Sequence, residues 1–234
     1  MKSSLLALTV LAASTFAVPA AHAVSPGEID TFDSSLEGWF AGGGPGGGVP
    51  PNPPTLVAGG GPGGAGDSFM ELTANGIASA GGRLVGMNAG QWAGNYSAAG
   101  IAGIAVDLRN FGTTDLTVRL YLEDPMGGPP ADEAVTTAGV ALPSGGGWTH
   151  AFFALDPGSL TVLSGAAATL LSNTTVLRIF SGAGPTFPPD PALGMLGVDN
   201  IAAVSAVPEP GTAALVAAGL GVLGAIGRRR AKLR

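Results

Sequence analysis

The strongest constraint on the fold of this 234-residue chain is a segment, residues 116–123, in which apolar and polar side chains strictly alternate. Successive side chains of an extended strand point to opposite faces, so leucine and valine occupy one face here and Thr117, Arg119, Tyr121 and Glu123 the other. The segment therefore predicts a β-strand with one face in a core and the other towards solvent or a binding surface.

Short apolar segments of similar strand character recur between glycine- and proline-rich stretches, at 28–32, 55–58, 68–73, 82–86, 101–108, 148–155, 176–180 and 197–201. Only 165–172, with three alanines and two leucines, favours a short helix. Nine or ten short strands joined by turns predict an all-β fold, an antiparallel β-sandwich of the jelly-roll kind.

The N-terminus has the features of an export signal. Lys2 precedes an apolar stretch at 5–18, and Ala21 and Ala23 are the small residues that a signal peptidase reads. We predict a signal peptide at 1–23, cleaved after Ala23. A retained membrane anchor is the alternative, but the apolar stretch is short for one.

The C-terminus has three parts in a fixed order. Val207, Pro208, Glu209 and Pro210 precede an uncharged run at 211–227, and five cations follow, Arg228, Arg229, Arg230, Lys232 and Arg234. At about 1.5 Å per residue the run spans roughly 25 Å, a marginal transmembrane helix whose basic end stays in the cytoplasm. A permanent anchor or a helix packed on the domain are the alternatives. The predicted division is a signal peptide at 1–23, a passenger domain at 24–206 and a sorting signal at 207–234.

This C-terminal order resembles the PEP-CTERM sorting signal of Gram-negative bacteria that make extracellular polysaccharide. The resemblance implies recognition by an exosortase, a membrane protease that cuts near the Pro-Glu-Pro triplet and passes the protein to the cell surface or the extracellular matrix. The expected processing partners are therefore a signal peptidase and an exosortase, with the C-terminal helix in the inner membrane before cleavage.

Composition narrows the chemistry of the passenger. The passenger contains four arginines, no lysine and fifteen carboxylates, which gives it a net charge of −11. Such a surface repels nucleic acid and anionic polymers, and it favours neutral glycans or divalent cations as partners. The absence of cysteine excludes disulfides and thiol chemistry. His150 is the single histidine of the passenger, which excludes a zinc site built from several histidines.

A second resemblance covers most of the passenger and rests on residues 30–32, 38–39, 82–85, 91–96, 107–110 and 197–201. The passenger is similar to a PEP-CTERM passenger family whose strand pattern matches galactose-binding-like and carbohydrate-binding-module jelly rolls. In related modules the first and last strands are neighbours and hold a structural calcium. The resemblance thus makes Asp30 and Asp199 the candidate calcium ligands. Calcium needs about six to eight oxygens, so two carboxylates are an incomplete set, and two polar strand ends are the alternative.

Gln91, Trp92, Asn95 and Tyr96 form the candidate glycan-binding segment, because aromatic faces and amide groups are what sugars contact. The alternative, which we favour, is a loop anchored by a buried tryptophan. Burial of Trp92, Tyr96 and Tyr121 would favour a structural role, whereas their exposure on a concave face would favour a lectin.

No catalytic residue is predicted. Glu123 with Asp124, and Asp132 with Glu133, are adjacent in proline- and glycine-rich surroundings, which indicates solvated loop charges. The predicted function is that of a non-enzymatic surface protein of the extracellular polysaccharide matrix. A glycan-binding module is the second hypothesis, and a polysaccharide hydrolase, which needs two carboxylates across a cleft, is the third.

Overall fold

The computed structural model describes residues 23–42, 50–126 and 128–205. These residues form twelve strands and one helix: β1 Ile29–Asp30, β2 Thr55–Val57, β3 Phe69–Asn75, β4 Val85–Asn88, β5 Ile101–Asn110, β6 Leu116–Asp124, β7 Asp132–Thr136, β8 Val140–Leu142, β9 Thr149–Ala154, β10 Leu160–Ser164, α1 Ala167–Ser172, β11 Val176–Ser181 and β12 Leu193–Ser205. Among them no helix has the length and apolar character needed to cross a membrane. The predicted transmembrane helix, the sorting motif and all of the signal peptide except Ala23 lie outside the described residues.

The strands form two six-stranded antiparallel sheets. The first sheet has the order β2-β3-β12-β5-β9, with β1 also paired to β12. The second has the order β10-β7-β6-β11-β4, with β8 also paired to β6. Apart from the β2–β3 and β6–β7 pairs, the neighbouring strands are not consecutive in sequence, as expected when a chain crosses repeatedly between two packed layers.

The central strand of the first sheet is β12, which pairs with β1, β3 and β5. Its inward side chains include Leu196, Val198, Ile201 and Ala203, all buried in the core between the sheets. A bulge between Asp199 and Ala202 shifts the register. Side chains of β12 therefore point into the core on both sides of the bulge.

The alternating segment at 116–123 is strand β6, as predicted. Val118, Leu120 and Leu122 are fully buried between the sheets. The opposite face of β6 is buried as well, because a second apolar cluster covers the outer surface of the second sheet. Its members are Tyr121, Val135 and Phe180, with Val85, Leu163 and Phe187 packed against them.

The all-β antiparallel sandwich with one short helix is confirmed. Three strands were not predicted, β7, β8 and β10: β7 begins with two acidic residues of low β-propensity, and β8 and β10 are only three and five residues long, so the local preference of each segment for a strand is weak. Hydrogen bonding to β6 and β7 overrides that preference. Beside Trp39, Phe40 forms a single isolated bridge with Met87.

Candidate functional site

Asp30 is the centre of a buried hydrogen-bond cluster. It lies opposite Ile201 in the β1–β12 pair, so its side chain shares the inward face with that core residue. Its Oδ2 accepts hydrogen bonds from the indole nitrogens of Trp39 and Trp92, both at 2.6 Å. Its Oδ1 accepts one from Gln91 Nε2 at 3.0 Å. Both carboxylate oxygens are thus engaged by N–H donors inside the protein.

The two aromatic residues of the predicted glycan-binding segment are buried beside this cluster, whereas Asn95 lies at the surface. Trp92 and Tyr96 are fully buried, and the Tyr96 hydroxyl donates to the Trp92 carbonyl at 2.8 Å. Asn95 Oδ1 accepts the backbone N–H of Ala98 at 2.7 Å and so closes a turn. The burial of Trp92 and Tyr96 favours the alternative of a loop anchored in the core, and sugar binding at Gln91, Trp92, Asn95 and Tyr96 stays an untested prediction. The physical reason is that an indole N–H and an amide satisfy a buried carboxylate as well as they would satisfy a sugar.

Asp199 lies on the other face of the same sheet. It pairs with Asp107, whose neighbours along β5, Val106 and Leu108, point into the core, so both aspartates point outward. Asp199 is only 1 % exposed, its Oδ1 accepts the Asn200 N–H at 2.7 Å, and its Oδ2 has no hydrogen-bond partner among the described residues. Burial raises the pKa of Asp199 to about 7, opposed by the Asn200 N–H and reinforced by nearby carboxylates, Asp107 among them.

The predicted calcium site is not formed by its two proposed ligands. Asp30 points inward and has both oxygens engaged, whereas Asp199 points outward from the opposite face of the sheet. Within the described ranges, no three or more histidine, aspartate or glutamate side chains are grouped in a way that could hold a metal ion. Asp30 and Asp199 therefore do not fit one calcium ion, and calcium binding by the protein stays a prediction.

The four carboxylates expected in loops lie on paired strands. Glu123 is opposite Glu133, and Asp124 is opposite Asp132, across β6 and β7. The Tyr121 hydroxyl oxygen lies 2.9 Å from Glu123 Oε2 and 2.7 Å from Glu133 Oε2. This enclosure raises the pKa of Tyr121 through burial first and through the two glutamates second. The loop assignment is wrong because 132–136 is hydrogen-bonded to the neighbouring strands.

Glu123 is further fixed by an ion pair across β6 and β11. Arg178 Nη1 donates to Glu123 Oε2 at 2.9 Å and Nη2 to Oε1 at 2.5 Å, a two-pronged contact. Both side chains are largely buried. A carboxylate held in this way supports the sheet, because its oxygens are already occupied.

A groove of about 640 Å³ opens beside these residues, at the β4 edge of the second sheet. Its walls come from residues 78–81, from the segments at 41–42 and 50–52, and from the outward side chains of β4. The lining includes polar, charged, sulfur-containing and aromatic side chains, namely those of Asn52, Ser79, Arg83, Met87, Arg178 and Phe187.

Two of the lining side chains, Phe187 and Arg178, belong to a stack of aromatic and guanidinium planes that continues behind the groove. The Phe187 ring stacks on Tyr121 with centroids 4.0 Å apart and planes 19° apart. The Arg178 guanidinium carbon lies 5.2 Å from the centroid of each ring. Phe180 meets Phe187 edge-on at 5.6 Å. Phe187 is thereby held in place and presents part of its surface to the groove.

The polar part of the groove comes from two anchored side chains. Arg83 Nε donates to the Pro189 carbonyl at 2.6 Å, and Asn52 Nδ2 donates to the Gly81 carbonyl at 2.9 Å. Each anchoring bond leaves other groups of the same side chain for a ligand, the two outer nitrogens of Arg83 and the amide oxygen of Asn52. None of these residues was a sequence candidate, since Phe187 and Asn52 lie in proline-rich segments that have no strand pattern.

Residues 206–231 match the family model of the PEP-CTERM protein-sorting motif. This confirms the sorting signal predicted from the sequence, and it indicates an exported protein with a C-terminal, membrane-anchored signal that leads to the cell surface. No curated protein matches the chain in sequence.

Solved structures show the fold of the passenger. A family 11 carbohydrate-binding module from Clostridium thermocellum, in complex with a β-1,3-1,4-mixed-linked tetrasaccharide, is 16 % identical with a TM-score of 0.50, and the match covers 78 % of this chain and 98 % of the module. The family 11 module of a cellulosomal cellulase from the same organism is 13 % identical with a TM-score of 0.51, over 80 % of this chain and 99 % of the module. An exo-β-agarase is 12 % identical with a TM-score of 0.51, over 79 % of this chain and only 26 % of the enzyme. The chain thus contains a jelly roll with the fold of carbohydrate-binding modules, followed in sequence by a PEP-CTERM sorting motif.

Proposed function

We propose that this protein binds extracellular polysaccharide at the cell surface through the groove beside Phe187, without catalysing a reaction on it. The observation that supports this is the groove itself, in which a fixed aromatic ring lies beside anchored hydrogen-bonding side chains. A pyranose ring has an apolar face formed by its C–H groups and a rim of hydroxyls, so it needs both kinds of contact.

The aromatic ring supplies the contact for the apolar face of the sugar. Phe187 is braced from behind by Tyr121 and from the side by Phe180, so little rotational freedom remains to be lost when a ligand stacks on it. The anchored Asn52 and Arg83 side chains supply directional bonds to hydroxyls without a large ordering cost.

The engagement of the nearby acids supports a binding role over hydrolysis. A glycoside hydrolase needs two carboxylates roughly 5 to 10 Å apart across a cleft. The described residues that line the groove include no aspartate or glutamate. Glu123, which lies behind it, is held by Arg178 and Tyr121. The described groove thus lacks the pair of available acids that hydrolysis would require.

The C-terminal motif supports a place for this binding outside the cell. We propose that the exported chain is held by its C-terminal segment in the inner membrane, processed by an exosortase near Pro208 and Pro210, and released to the surface or the polysaccharide matrix. A matrix protein that engages the polymer around it would then combine the two leading hypotheses from the sequence.

The test compares two phenylalanines, the half-buried Phe187 in the groove and the exposed Phe152 outside it. Phe187→Ala removes the stacking surface, whereas Phe152→Ala removes a 51 % exposed ring on β9, in the other sheet. Binding is measured by affinity electrophoresis in gels containing mixed-linkage β-glucan, agarose-derived galactan or an acidic polysaccharide. We expect Phe187→Ala to weaken binding to the recognised polymer about tenfold or more, which corresponds to roughly 1.4 kcal/mol.

Phe152→Ala should leave binding unchanged, and the melting temperature of each variant shows whether it is folded. Equal binding by Phe187→Ala and the parent protein would rule out this groove. Failure of the parent protein to bind any polysaccharide in the panel would contradict the proposed function.

A further inference from the structure

The charge of the groove is opposite to that of the domain around it. The passenger has a net charge of −11, yet the charged residues among the described groove lining are two arginines, Arg83 and Arg178. The passenger has only four arginines, and two of them line this groove. The described lining of the groove is therefore basic, although the domain as a whole is acidic.

The two arginines differ in how their charge is compensated. Arg178 is paired through both outer nitrogens with Glu123, so its charge is balanced inside the fold. Arg83 is exposed, and its recorded hydrogen bond runs from Nε to the neutral carbonyl of Pro189. No carboxylate among the described residues lies within ion-pair distance of Arg83. The groove thus contains one fixed cation without a counter-charge from the described part of the chain.

The other two arginines show what a purely structural role looks like in this protein. Arg119 is buried, and its guanidinium donates to backbone carbonyls on both sides, those of Thr136 and Ala183 among them. Arg109 lies on the other sheet, with its guanidinium 4.5 Å from the Phe111 ring centroid and its Nε bonded to the Gly146 carbonyl. Arg83 lacks both the enclosure of Arg119 and the aromatic cover of Arg109.

We propose that the groove takes an acidic saccharide, a sugar whose carboxylate pairs with the outer nitrogens of Arg83 while its ring stacks on Phe187. This inference rests on the proposed function and specifies its substrate class. The planar fork of a guanidinium matches the two oxygens of a carboxylate, and such a pair is stronger than a bond to a neutral hydroxyl.

This substrate class is the reverse of the neutral glycan predicted from the net charge. The net charge acts over distance, and salt at about 0.1 M screens it beyond roughly 10 Å. The contact with Arg83 is short-range and far less screened. The local cation can therefore determine the ligand despite the acidic domain.

The test uses one saccharide with and without its charge. Oligogalacturonate and its methyl ester share the same backbone, and the mixed-linked β-glucan tetrasaccharide serves as an uncharged third ligand. The full-length chain, expressed with its own leader and purified in mild detergent, is titrated with each at 0.15 M salt by calorimetry. We expect the acid to bind at least tenfold more tightly than the ester.

The variants separate the groove cation from general charge. Arg83→Gln should reduce binding of the acid about tenfold, and it should reduce binding of the ester by a clearly smaller factor, because the amide of glutamine can still bond a neutral hydroxyl but cannot pair with a carboxylate. Arg109→Gln removes an arginine with a similar Nε anchor outside the groove, and it should have no effect on either ligand.

Equal binding of acid and ester, or tighter binding of the ester or the glucan, would overturn the acidic-saccharide inference and leave glycan binding by the groove intact. Equal losses in Arg83→Gln and Arg109→Gln would overturn it too, since they would show a non-specific charge effect. No binding of the three saccharides would count against the acidic inference, and absence of binding across the polysaccharide panel would remove the proposed function as well.

Discussion

Replacing Trp92 by phenylalanine tests the assignment of this residue to the core. The substitution keeps an aromatic ring but removes the indole N–H that donates to Asp30 Oδ2 at 2.6 Å. Trp148→Phe is the matched control, because its indole donates to a neutral carbonyl, that of Gly60, at 3.0 Å and its side chain is only half-buried.

The expected losses follow from the two environments. A buried hydrogen bond to a charged group contributes about 1.5 to 3 kcal/mol, and the smaller ring leaves a space that costs roughly 1 to 2 kcal/mol more. Trp92→Phe should therefore lower the free energy of unfolding by about 2.5 to 5 kcal/mol. For Trp148→Phe, a neutral and partly solvated bond predicts about 1 kcal/mol.

Urea unfolding followed by far-ultraviolet circular dichroism measures both losses without relying on tryptophan fluorescence. A double-mutant cycle with Asp30→Asn isolates the interaction between Trp92 and the carboxylate charge. Similar losses in the two tryptophan variants, or a cycle with no coupling between Trp92 and Asp30, would refute the argument. Selective loss of polysaccharide binding in a stable Trp92→Phe protein would restore the surface hypothesis.

Two further predictions concern pH and processing. The pKa of Asp199 in the folded state, about 7, is above its unfolded value of about 3.9, so the folded protein binds the extra proton and its stability should fall as pH rises from 4 to 7. Asp199→Asn should remove this dependence and raise the free energy of unfolding at pH 8 by up to about 4 kcal/mol, measured in urea with a chelator present; an unchanged pH profile would contradict this account of Asp199. In the native host, mass spectrometry of surface-extracted protein should show a mature C-terminus near the Pro-Glu-Pro triplet, and an intact Arg234 would argue against sorting by cleavage.

The fold was predictable because alternation reports burial directly. In β6 the period-two pattern identified the strand, its length and its inward face. The outer face of β6 was not predictable, because its burial depends on Phe180 and Phe187, which are distant in sequence and reach it only through the sheet order. Strand β7 was not predictable for a similar reason, because its hydrogen bonding to β6 outweighs the low β-propensity of its own residues.

The candidate site was harder to predict than the fold. Trp92 and Tyr96 have the composition of a sugar platform, but the same groups satisfy the buried Asp30, and sequence composition cannot distinguish the two uses. The groove depends on Arg83 and Phe187 lining the same surface, although they are 104 positions apart along the chain. The net charge of the domain is a sum over all residues, so it could not predict that a single cation lies at one groove.

The position of β12 has a mechanical consequence. Its last residue, Ser205, immediately precedes the segment matched as the sorting motif, and near its other end Met195 pairs with Thr73 of the groove wall. The strand between Met195 and Ser205 is about 34 Å long at roughly 3.4 Å per residue. A polymer that pulls at the groove while the tail is held would apply force along β12, so the hydrogen bonds to its neighbouring strands would resist together in shear instead of opening one at a time. If the groove binds a polymer as proposed, the same strand that connects the domain to its tail would therefore transmit the tension.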